Sequence, residues 1–314
     1  MKEQPRLAQM IKGQMFDGYL MVRSATQRTS SNGGKYLDMT LCDVSGEVNA
    51  KLWDGTVPPP NVADVLRIRG MMQEYNGKAQ FRVDKMRLST PADDIDMQQL
   101  ILCAPESPES MLDEIRARIA RMEDAQLRAL VEMRLRECGK ELMYYPAASR
   151  LHHAERSGLL HHTNTMLRGA EAICGIYPAL DADLLAAGVI LHDLCKIEEF
   201  VCDELGLATD YSTEGNLVGH IVMGVAQLDR CGKELGTDPE LLMMLEHMLL
   251  SHHNLPEFGS PKPPMFPEAE VLHMVDDLDA KLFEMRSELE KVKPGCFSDF
   301  FKPLERKLYR RTEG

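Results

Sequence analysis

Imidazole and carboxylate side chains recur in a fixed order through the middle of this sequence. The residues concerned are His162, the pair His192-Asp193, His220, the pair His252-His253, and Asp276. Such donors bind Mn²⁺, Fe²⁺ and related ions, and a carboxylate placed between two imidazole groups can bridge two ions. A single histidine is more often a hydrogen-bonded core residue than a metal ligand. Because the donors here form an ordered set, they favour a two-metal centre that hydrolyses a phosphate ester.

The segment DADLLAAGVILHD predicts that the His-Asp pair lies at a buried helix. Asp181 can cap this helix, and an apolar run over residues 184–191 leads to His192 and Asp193. If the helix continued, Lys196 would lie on the same face, three to four residues further on. Three polar groups on an apolar helix are costly unless something charged binds them. A metal ion and a phosphate would satisfy all three.

HDLCK, with GLLHHT before it and DDLD after it, resembles the signature of the HD superfamily of metal-dependent phosphohydrolases, whose fold is all-helical. The resemblance places the first metal site of that family on His162, His192, Asp193 and Asp276. It places the extra ligands of the two-metal members on His220, His252 and His253, with the HD aspartate as the bridge. It would also put an acidic residue at position 161, where this sequence has histidine.

Longer segments of the sequence resemble one particular family within this superfamily. HHAERSGLLHHT, YSTEGNLVGH, LSHHNLPEFGSPKPP and LHMVDDLDAK are similar to segments of the YhaM-type 3′-5′ exoribonucleases, which join an OB fold to an HD domain. The resemblance therefore implies an N-terminal β-barrel followed by an all-α HD domain, and a single-stranded RNA substrate. Residues in the matching segments are expected to hold the phosphodiester or the terminal nucleotide, namely Arg150, His152, His153 and Lys262.

The N-terminal part predicts such a barrel from its own pattern. Residues 14–88 alternate short β-rich runs with turn sequences, among them SNGG, VSGE and YNGK. The Asn-Gly pair of YNGK, between extended runs, is the strongest short-range signal for a β-hairpin. About five strands in about 75 residues suit a small closed barrel of the OB type.

Basic charge is concentrated in the same part of the chain. Residues 1–90 contain 13 Lys and Arg against 9 Asp and Glu, whereas the whole chain has a net charge of −13. This overall acidity argues against a protein that coats long nucleic acid, but it is compatible with a local groove. Aromatic and basic residues that could stack bases and contact phosphates are interleaved there: Lys35, Tyr36, Lys51, Trp53, Tyr75, Lys78, Phe81 and Arg82. Because barrel strands alternate inward and outward, about half of these aromatics are expected in the core instead.

Composition and length fit a soluble protein of two domains. The 314 residues are 44% hydrophobic, and no apolar run approaches the roughly 20 residues needed to cross a bilayer. We therefore expect a cytoplasmic protein without a membrane partner, and free thiols, since the eight cysteines lack CxxC spacing. The predicted division is an OB-fold nucleic-acid-binding domain at 1–90, a linker at 91–108, and a helical HD phosphohydrolase domain with a C-terminal tail at 109–314.

The sequence thus predicts a metal-dependent phosphodiesterase, a 3′-5′ exonuclease of single-stranded RNA or short oligonucleotides, with DNA as a second substrate. Asp193 would bridge two divalent ions that activate a water; Mn²⁺ is the first choice, although Fe²⁺, Co²⁺ and Ni²⁺ accept the same donors. Lys196 would bind a non-bridging phosphate oxygen. Two alternatives stay open: an HD phosphohydrolase acting on nucleotides or cyclic dinucleotides, and an RNA-binding protein with an inactive site. The sequence leaves the oligomeric state open, a homo-oligomer included.

Overall fold

The structure is a computed structural model that describes residues 4–75, 77–149, 153–203 and 205–312. The chain divides into two compact units, Met1–Cys103 and Ala104–Gly314. The first unit is a β-barrel and the second is helical, so the predicted fold class, an OB-type barrel followed by a helical HD domain, is confirmed.

The barrel closes with the strand order β1-β2-β3-β5-β4. Its strands are β1 (Met15–Thr29), β2 (Lys35–Asp43), β3 (Gly46–Leu52), β4 (Val65–Tyr75) and β5 (Lys78–Leu88). Neighbouring strands are antiparallel except for β3 and β5, which pair in parallel. A five-stranded Greek-key barrel with this closure has the topology of an OB fold.

The interior of the barrel is filled by the inward-facing side chains of its strands. Phe16 and Phe81 are fully buried and meet edge to face, with ring centroids 5.9 Å apart. Leu20, Leu37 and Ile68 complete the same cluster. The alternation of buried and exposed positions along β3 is the pattern by which the sequence predicts strands.

Residues that follow the last strand are tied back to the barrel. The carboxylate of Asp93 accepts hydrogen bonds from the Tyr19 hydroxyl at 2.8 Å and from both terminal nitrogens of Arg87 at 2.8 Å. The backbone N–H of Val44 donates to the carbonyl of Gln99 at 3.1 Å. The compact unit accordingly extends to Cys103. The domain limits at 90 and 108 stay a prediction.

The helical unit is built mainly from long helices around one apolar core. Its helices are α1 (Pro108–Ala120), α2 (Ala125–Glu137), α3 (Gly158–Ile176), α4 (Ala182–Leu191), α5 (Lys196–Glu199), α6 (Thr213–Leu217), α7 (Gly219–Leu235), α8 (Pro239–Ser251) and α9 (Pro267–Glu290). A short antiparallel pair, β6 (Phe200–Cys202) and β7 (Ala208–Tyr211), lies between α5 and α6. This strand pair was not predicted from the sequence.

Helix α4 is the buried centre of the unit. Asp181 caps it by accepting hydrogen bonds from the backbone N–H groups of Asp183 and Leu184, as predicted, and every residue from Leu184 to Leu191 is buried. The continuation of this helix to Lys196 is wrong, because α4 ends at Leu191 and a turn precedes α5. The turn brings the HD pair to the end of the helix, where polar side chains no longer have to share an apolar face.

The sequence also predicts that no segment spans a membrane and that the cysteines are free thiols. Within the described ranges no helix is both long enough and apolar enough to span a membrane. All eight cysteines are free thiols, as predicted.

Replacing Gly70 by alanine is expected to destabilise the barrel. A Cβ at this position would lie 2.2 Å from the backbone oxygen of Arg82 and 2.8 Å from the Phe81 ring. Overpacking of this kind costs about 1–3 kcal/mol, which urea unfolding would detect as a lower midpoint. Gly46→Ala is the matched control, because no heavy atom lies within 4 Å of the Cβ it would add. Equal midpoints for the two variants would contradict the packing described here.

Candidate metal centre

Asp193 lies just beyond the end of α4, where its side chain is almost completely buried. One of its oxygens, Oδ2, faces two imidazoles: Nε2 of His192 is 3.3 Å away and Nε2 of His162, from α3, is 3.7 Å away. The other oxygen, Oδ1, faces two different imidazoles: Nε2 of His220, from α7, is 3.4 Å away and Nε2 of His252, at the end of α8, is 3.8 Å away. The carboxylate therefore lies between two groups of nitrogen donors.

Two more of the predicted ligands complete these groups. Asp276, on α9, places Oδ1 3.2 Å from Nε2 of His162. His253 follows His252, and its ring centroid lies 5.5 Å from that of His220. Potential donor atoms lie within 4.8 Å of one another in three overlapping sets around this centre: His162, His192 and Asp193; His192, His252 and Asp276; and His220, His252 and His253. All seven predicted ligands thus meet in one place, contributed by five separate segments of the chain.

Backbone carbonyls orient three of the imidazoles. Nδ1 of His192 donates to the carbonyl of Val189 at 2.8 Å, and Nδ1 of His252 donates to the carbonyl of Leu249 at 2.7 Å. Nδ1 of His253 likewise donates to a carbonyl, that of Phe258, at 2.7 Å. Because a carbonyl can only accept, Nδ1 carries the proton in each ring, and in the neutral form Nε2 presents its lone pair to the centre.

Several donor atoms of the centre have unsatisfied hydrogen-bonding capacity. Within the described part of the chain, Nε2 of His192, His220 and His252 and Oδ1 of Asp193 are buried without a hydrogen-bond partner. Buried polar atoms are normally paired, and leaving them unpaired is costly. Burial, followed by the neighbouring His253 and His192, holds the pKa of His252 well below its usual value, so this imidazole stays neutral and able to bind a cation. These residues fit a divalent metal ion, and the HD domain implies one.

Carboxylates behind the imidazoles form a supporting layer that the sequence did not reveal. Glu199 accepts hydrogen bonds from Nδ1 and from the backbone N–H of His220, both at 3.0 Å. Asp279 accepts one from Nδ1 of His162 at 2.7 Å. Such outer carboxylates orient histidine ligands and raise their basicity. Asp279 lies three residues after Asp276 on one helix face, a spacing from which it could have been found, whereas only the fold brings Glu199 to His220.

Lys196 is paired with the central carboxylate. Its Nζ lies 2.6 Å from Oδ2 of Asp193, although both side chains are buried. Burial alone would raise the pKa of Asp193, but the neighbouring His192 and Lys196 hold that pKa well below its usual range. Burial would lower the pKa of Lys196, and Asp193 outweighs it, so the amine stays protonated. Lys196 thus brings a positive charge to the place where the ligand groups meet.

The four residues predicted to hold the substrate lie in different surroundings. Arg150 and His152 lie outside the described residues. Lys262 is exposed on the loop before α9. His153 is buried, and its Nε2 donates to Asp279 at 2.7 Å. The structure therefore places His153 among the groups behind the metal centre, and a substrate-binding role for it or for Lys262 stays a prediction.

On the barrel, four side chains form what we call the aromatic patch: Tyr36, Lys51, Trp53 and Tyr75. The rings of Tyr36 and Trp53 lie 4.7 Å apart between centroids, tilted by 30°. Nζ of Lys51 lies 5.2 Å from the centroid of Tyr36 and 5.8 Å from that of Tyr75. Trp53 is 58% exposed and Tyr75 is 60% exposed, so flat rings and a positive charge are open to a ligand.

The remaining barrel residues divide between core and surface. Phe81 is fully buried, so its inclusion among base-stacking candidates is wrong, because it points inward from β5. Arg82 is half-buried and its Nε lies 3.1 Å from Asp84. Lys35 is exposed at the start of β2, and the side chain of Lys78 lies outside the described residues. Roles in RNA binding for Lys35, Lys78 and Arg82 stay predictions.

Comparison with known families supports the reading of the helical unit. The family described as HD domain matches residues 159–281, a range that includes every predicted metal ligand. Among solved structures, the second OB-fold domain of replication protein A from Methanococcus maripaludis matches 29% of this chain and 98% of its own, at 13% identity and a TM-score of 0.23. The strand order of the barrel, not this likeness, carries the OB assignment.

Relatives with assigned names match nearly the whole chain. The 3′-5′ exoribonuclease YhaM of Bacillus subtilis is 39% identical over 307 residues, which cover 96% of either chain. The protein of the same name from Listeria welshimeri is 39% identical over 297 residues and 94% of either chain. That of Halalkalibacterium halodurans is 37% identical over 301 residues, covering 95% of this chain and 93% of its own. The predicted family and enzyme class are thereby confirmed: the chain belongs to the YhaM family of 3′-5′ exoribonucleases and is a hydrolytic nuclease with an HD domain.

Proposed function

We propose that this chain removes nucleotides from the 3′ end of single-stranded RNA by hydrolysis at a pair of divalent metal ions centred on Asp193. The observation that carries the proposal is the position of that carboxylate, with one oxygen toward His162 and His192 and the other toward His220 and His252. The name of the relatives supports the RNA substrate and the 3′-5′ direction.

The proposed ligands form two sets, one on each side of the Asp193 carboxylate. His162, His192 and Asp276 would hold one ion, His220, His252 and His253 would hold the other, and Asp193 would contribute to both. When bound, two such ions lower the pKa of a shared water and neutralise the phosphate oxygens around the scissile bond. Nitrogen and oxygen donors of this kind suit Mn²⁺, with Fe²⁺, Co²⁺ and Ni²⁺ as further candidates. Asp193 and Lys196 are the proposed catalytic residues.

The protein's own groups prepare the site for an anionic substrate. The carbonyls of Val189 and Leu249 keep the proton of a neutral His192 or His252 ring on Nδ1, so that Nε2 can present its lone pair to a cation. The ammonium group of Lys196 is held beside Asp193, from where it can donate to a non-bridging oxygen of the phosphate. A fixed positive charge at that position stabilises the negative charge that develops during displacement.

The aromatic patch is the proposed capture surface for the single strand. Stacked rings with a lysine over them suit unpaired bases and the phosphate beside them. Lys35, Lys78 and Arg82 are proposed to contact the phosphates of the strand, and single-stranded DNA and short oligonucleotides are proposed as further substrates. An RNA substrate is consistent with the predicted cytoplasmic location.

Asp193→Asn is expected to lower RNA hydrolysis by about 10³-fold or more, because the amide lacks the charge that a bridging ligand supplies. RNA affinity should change little, since the capture surface is assigned to the barrel. Asp277→Asn is the control: this exposed aspartate pairs with Lys281 and adjoins the ligand Asp276. The measurements are kcat/KM on end-labelled RNA and RNA binding in the absence of turnover. If Asp193→Asn kept wild-type hydrolysis, the proposed centre would be wrong.

Glu199→Gln is expected to weaken metal affinity and hydrolysis by about 10–100-fold, as loss of a carboxylate behind a histidine ligand commonly does. Added metal should restore part of the activity, because the ligand His220 is still present. Glu198→Gln, at the exposed neighbouring position, should behave as wild type. The measurement is hydrolysis against metal concentration for both variants. Identical metal dependence of the two would refute a supporting role for Glu199.

Trp53→Ala is expected to weaken binding of a long single-stranded RNA by about 1–3 kcal/mol, the usual contribution of one stacked base. Hydrolysis of a dinucleotide should not change, because the proposed metal ligands all lie within the helical unit. The control is Tyr177→Ala, which removes an exposed ring from the helical unit. The measurements are RNA affinity by fluorescence anisotropy and kcat/KM on both substrates. Equal kcat/KM for long RNA in wild type and Trp53→Ala would count against capture by the barrel and favour a small nucleotide substrate.

A further inference from the structure

A second group of buried ionisable side chains lies on the Nδ1 side of His162. Its members are His153, Glu155 and His161, none of them more than 9% exposed. Nδ1 of His153 lies 3.1 Å from Nδ1 of His161, which in turn lies 2.6 Å from Oε1 of Glu155. The third distance, from Nδ1 of His153 to Oε1 of Glu155, is 3.4 Å. These three donor atoms form what we call the buried triangle, whose members can also be grouped as potential metal ligands.

Asp279 determines which ring nitrogen of His153 is the hydrogen-bond donor. Its Oδ2 accepts hydrogen bonds from Nε2 of His153 and from Nδ1 of His162, both at 2.7 Å. A neutral imidazole has one donor nitrogen and one acceptor nitrogen. Since Nε2 of His153 is the donor, its Nδ1 presents a lone pair to the triangle. That lone pair and the Glu155 carboxylate are both acceptors, so they compete for a proton on Nδ1 of His161, which a bound cation would replace.

A cation between the three atoms would satisfy all of them. Zinc binds imidazole nitrogen at about 2.0–2.1 Å and carboxylate oxygen at about 2.0–2.2 Å, which places adjacent ligand atoms about 3.0–3.4 Å apart. Two sides of the buried triangle already have these lengths. The third side needs to open by a few tenths of an ångström. We propose that His153, Glu155 and His161 bind a further transition-metal ion, distinct from those around Asp193.

The backbone around the triangle is held in an unusual conformation. His153 and Ser157 have φ angles of 51° and 62°, in the left-handed region that side chains other than glycine seldom adopt. The segment is pressed against the start of α3, because a Cβ on Gly158 would lie 2.1 Å from the carbonyl oxygen of His153. The same oxygen accepts a hydrogen bond from the N–H of Ala147 at 3.1 Å. This backbone places His153 and Glu155 opposite His161 on the first turn of α3.

The ion would act by positioning and would not touch the substrate. Two imidazoles and one carboxylate suit Zn²⁺, Mn²⁺ or Fe²⁺, whereas Mg²⁺ and Ca²⁺ prefer oxygen ligands alone. Bound to Nδ1 of His153, it would keep the proton on Nε2 and so maintain the hydrogen bond to Asp279. Asp279 in turn holds His162, a proposed ligand of the metal centre. The buried triangle would thus fix the orientation of that ligand from behind.

The direct test is the position of bound metal in the unmodified full-length protein. Crystals grown with Zn²⁺ would be measured above and below the zinc absorption edge. An anomalous peak within bonding distance of His153, Glu155 and His161 is expected. Peaks around Asp193 with none in the triangle would overturn the proposal. A peak in the triangle with none around Asp193 would uphold it while refuting the proposed two-metal centre, so the two ideas fail independently.

Zinc content in solution provides a second test. Glu155→Gln should retain one ion fewer per chain than wild type after dialysis, and Asp193→Asn should still retain the ion of the triangle. Combining the two substitutions should remove that remaining ion. Glu270→Gln, an exposed position on α9, is the control for a lost surface carboxylate, and circular dichroism checks folding. If Glu155→Gln and wild type retained equal zinc, the triangle would be a hydrogen-bonded cluster only, and the proposal would fall.

Discussion

A carboxylate buried among apolar helices must be surrounded by groups that stabilise its charge, and this requirement at Asp193 organises the helical unit. An uncompensated buried charge costs several kcal/mol even after relaxation. Lys196 supplies one positive group at 2.6 Å, and four imidazole nitrogens surround the rest of the carboxylate. Three of these nitrogens, on His192, His220 and His252, have no hydrogen-bond partner in the described residues. Such an arrangement is unfavourable by itself and becomes favourable when cations bind. The centre of the helical unit is therefore suited to binding metal.

The same local hydrogen bond orients two of the predicted ligands. His192 and His252 are the first residues after α4 and α8, and each returns its Nδ1 proton to the carbonyl three residues earlier. Carbonyls in the last turn of a helix lack a partner within the helix. The histidine therefore satisfies a helix terminus and fixes its own tautomer with one hydrogen bond. This explains why His192 and His252 lie at the ends of α4 and α8 and not on the faces of these helices.

The order of ligand types could be predicted from the sequence because each ligand is a polar residue in or beside an apolar helical segment. Glu199, which supports His220, could not be predicted, since a surface glutamate and a buried one look alike in the sequence: Glu198 is exposed, whereas Glu199 accepts a hydrogen bond from His220. The break between α4 and Lys196 was missed because the apolar pattern ends at the same residue in either case. Phe81 was listed among the base-stacking candidates because alternation along a strand does not say which set of side chains faces inward.

The charge of the chain differs between the barrel and the helical unit. The barrel region of residues 1–90 has more basic than acidic residues, 13 against 9, although the chain as a whole is strongly acidic. An acidic helical unit repels the phosphates of RNA wherever bound cations do not neutralise it, since phosphate contacts supply most nonspecific affinity. Attraction of the phosphates is therefore expected at two places, a metal centre that has bound its cations and the basic, aromatic surface of the barrel. Under the proposed function, the barrel would bind the body of a single strand and the metal centre would hydrolyse its 3′ end.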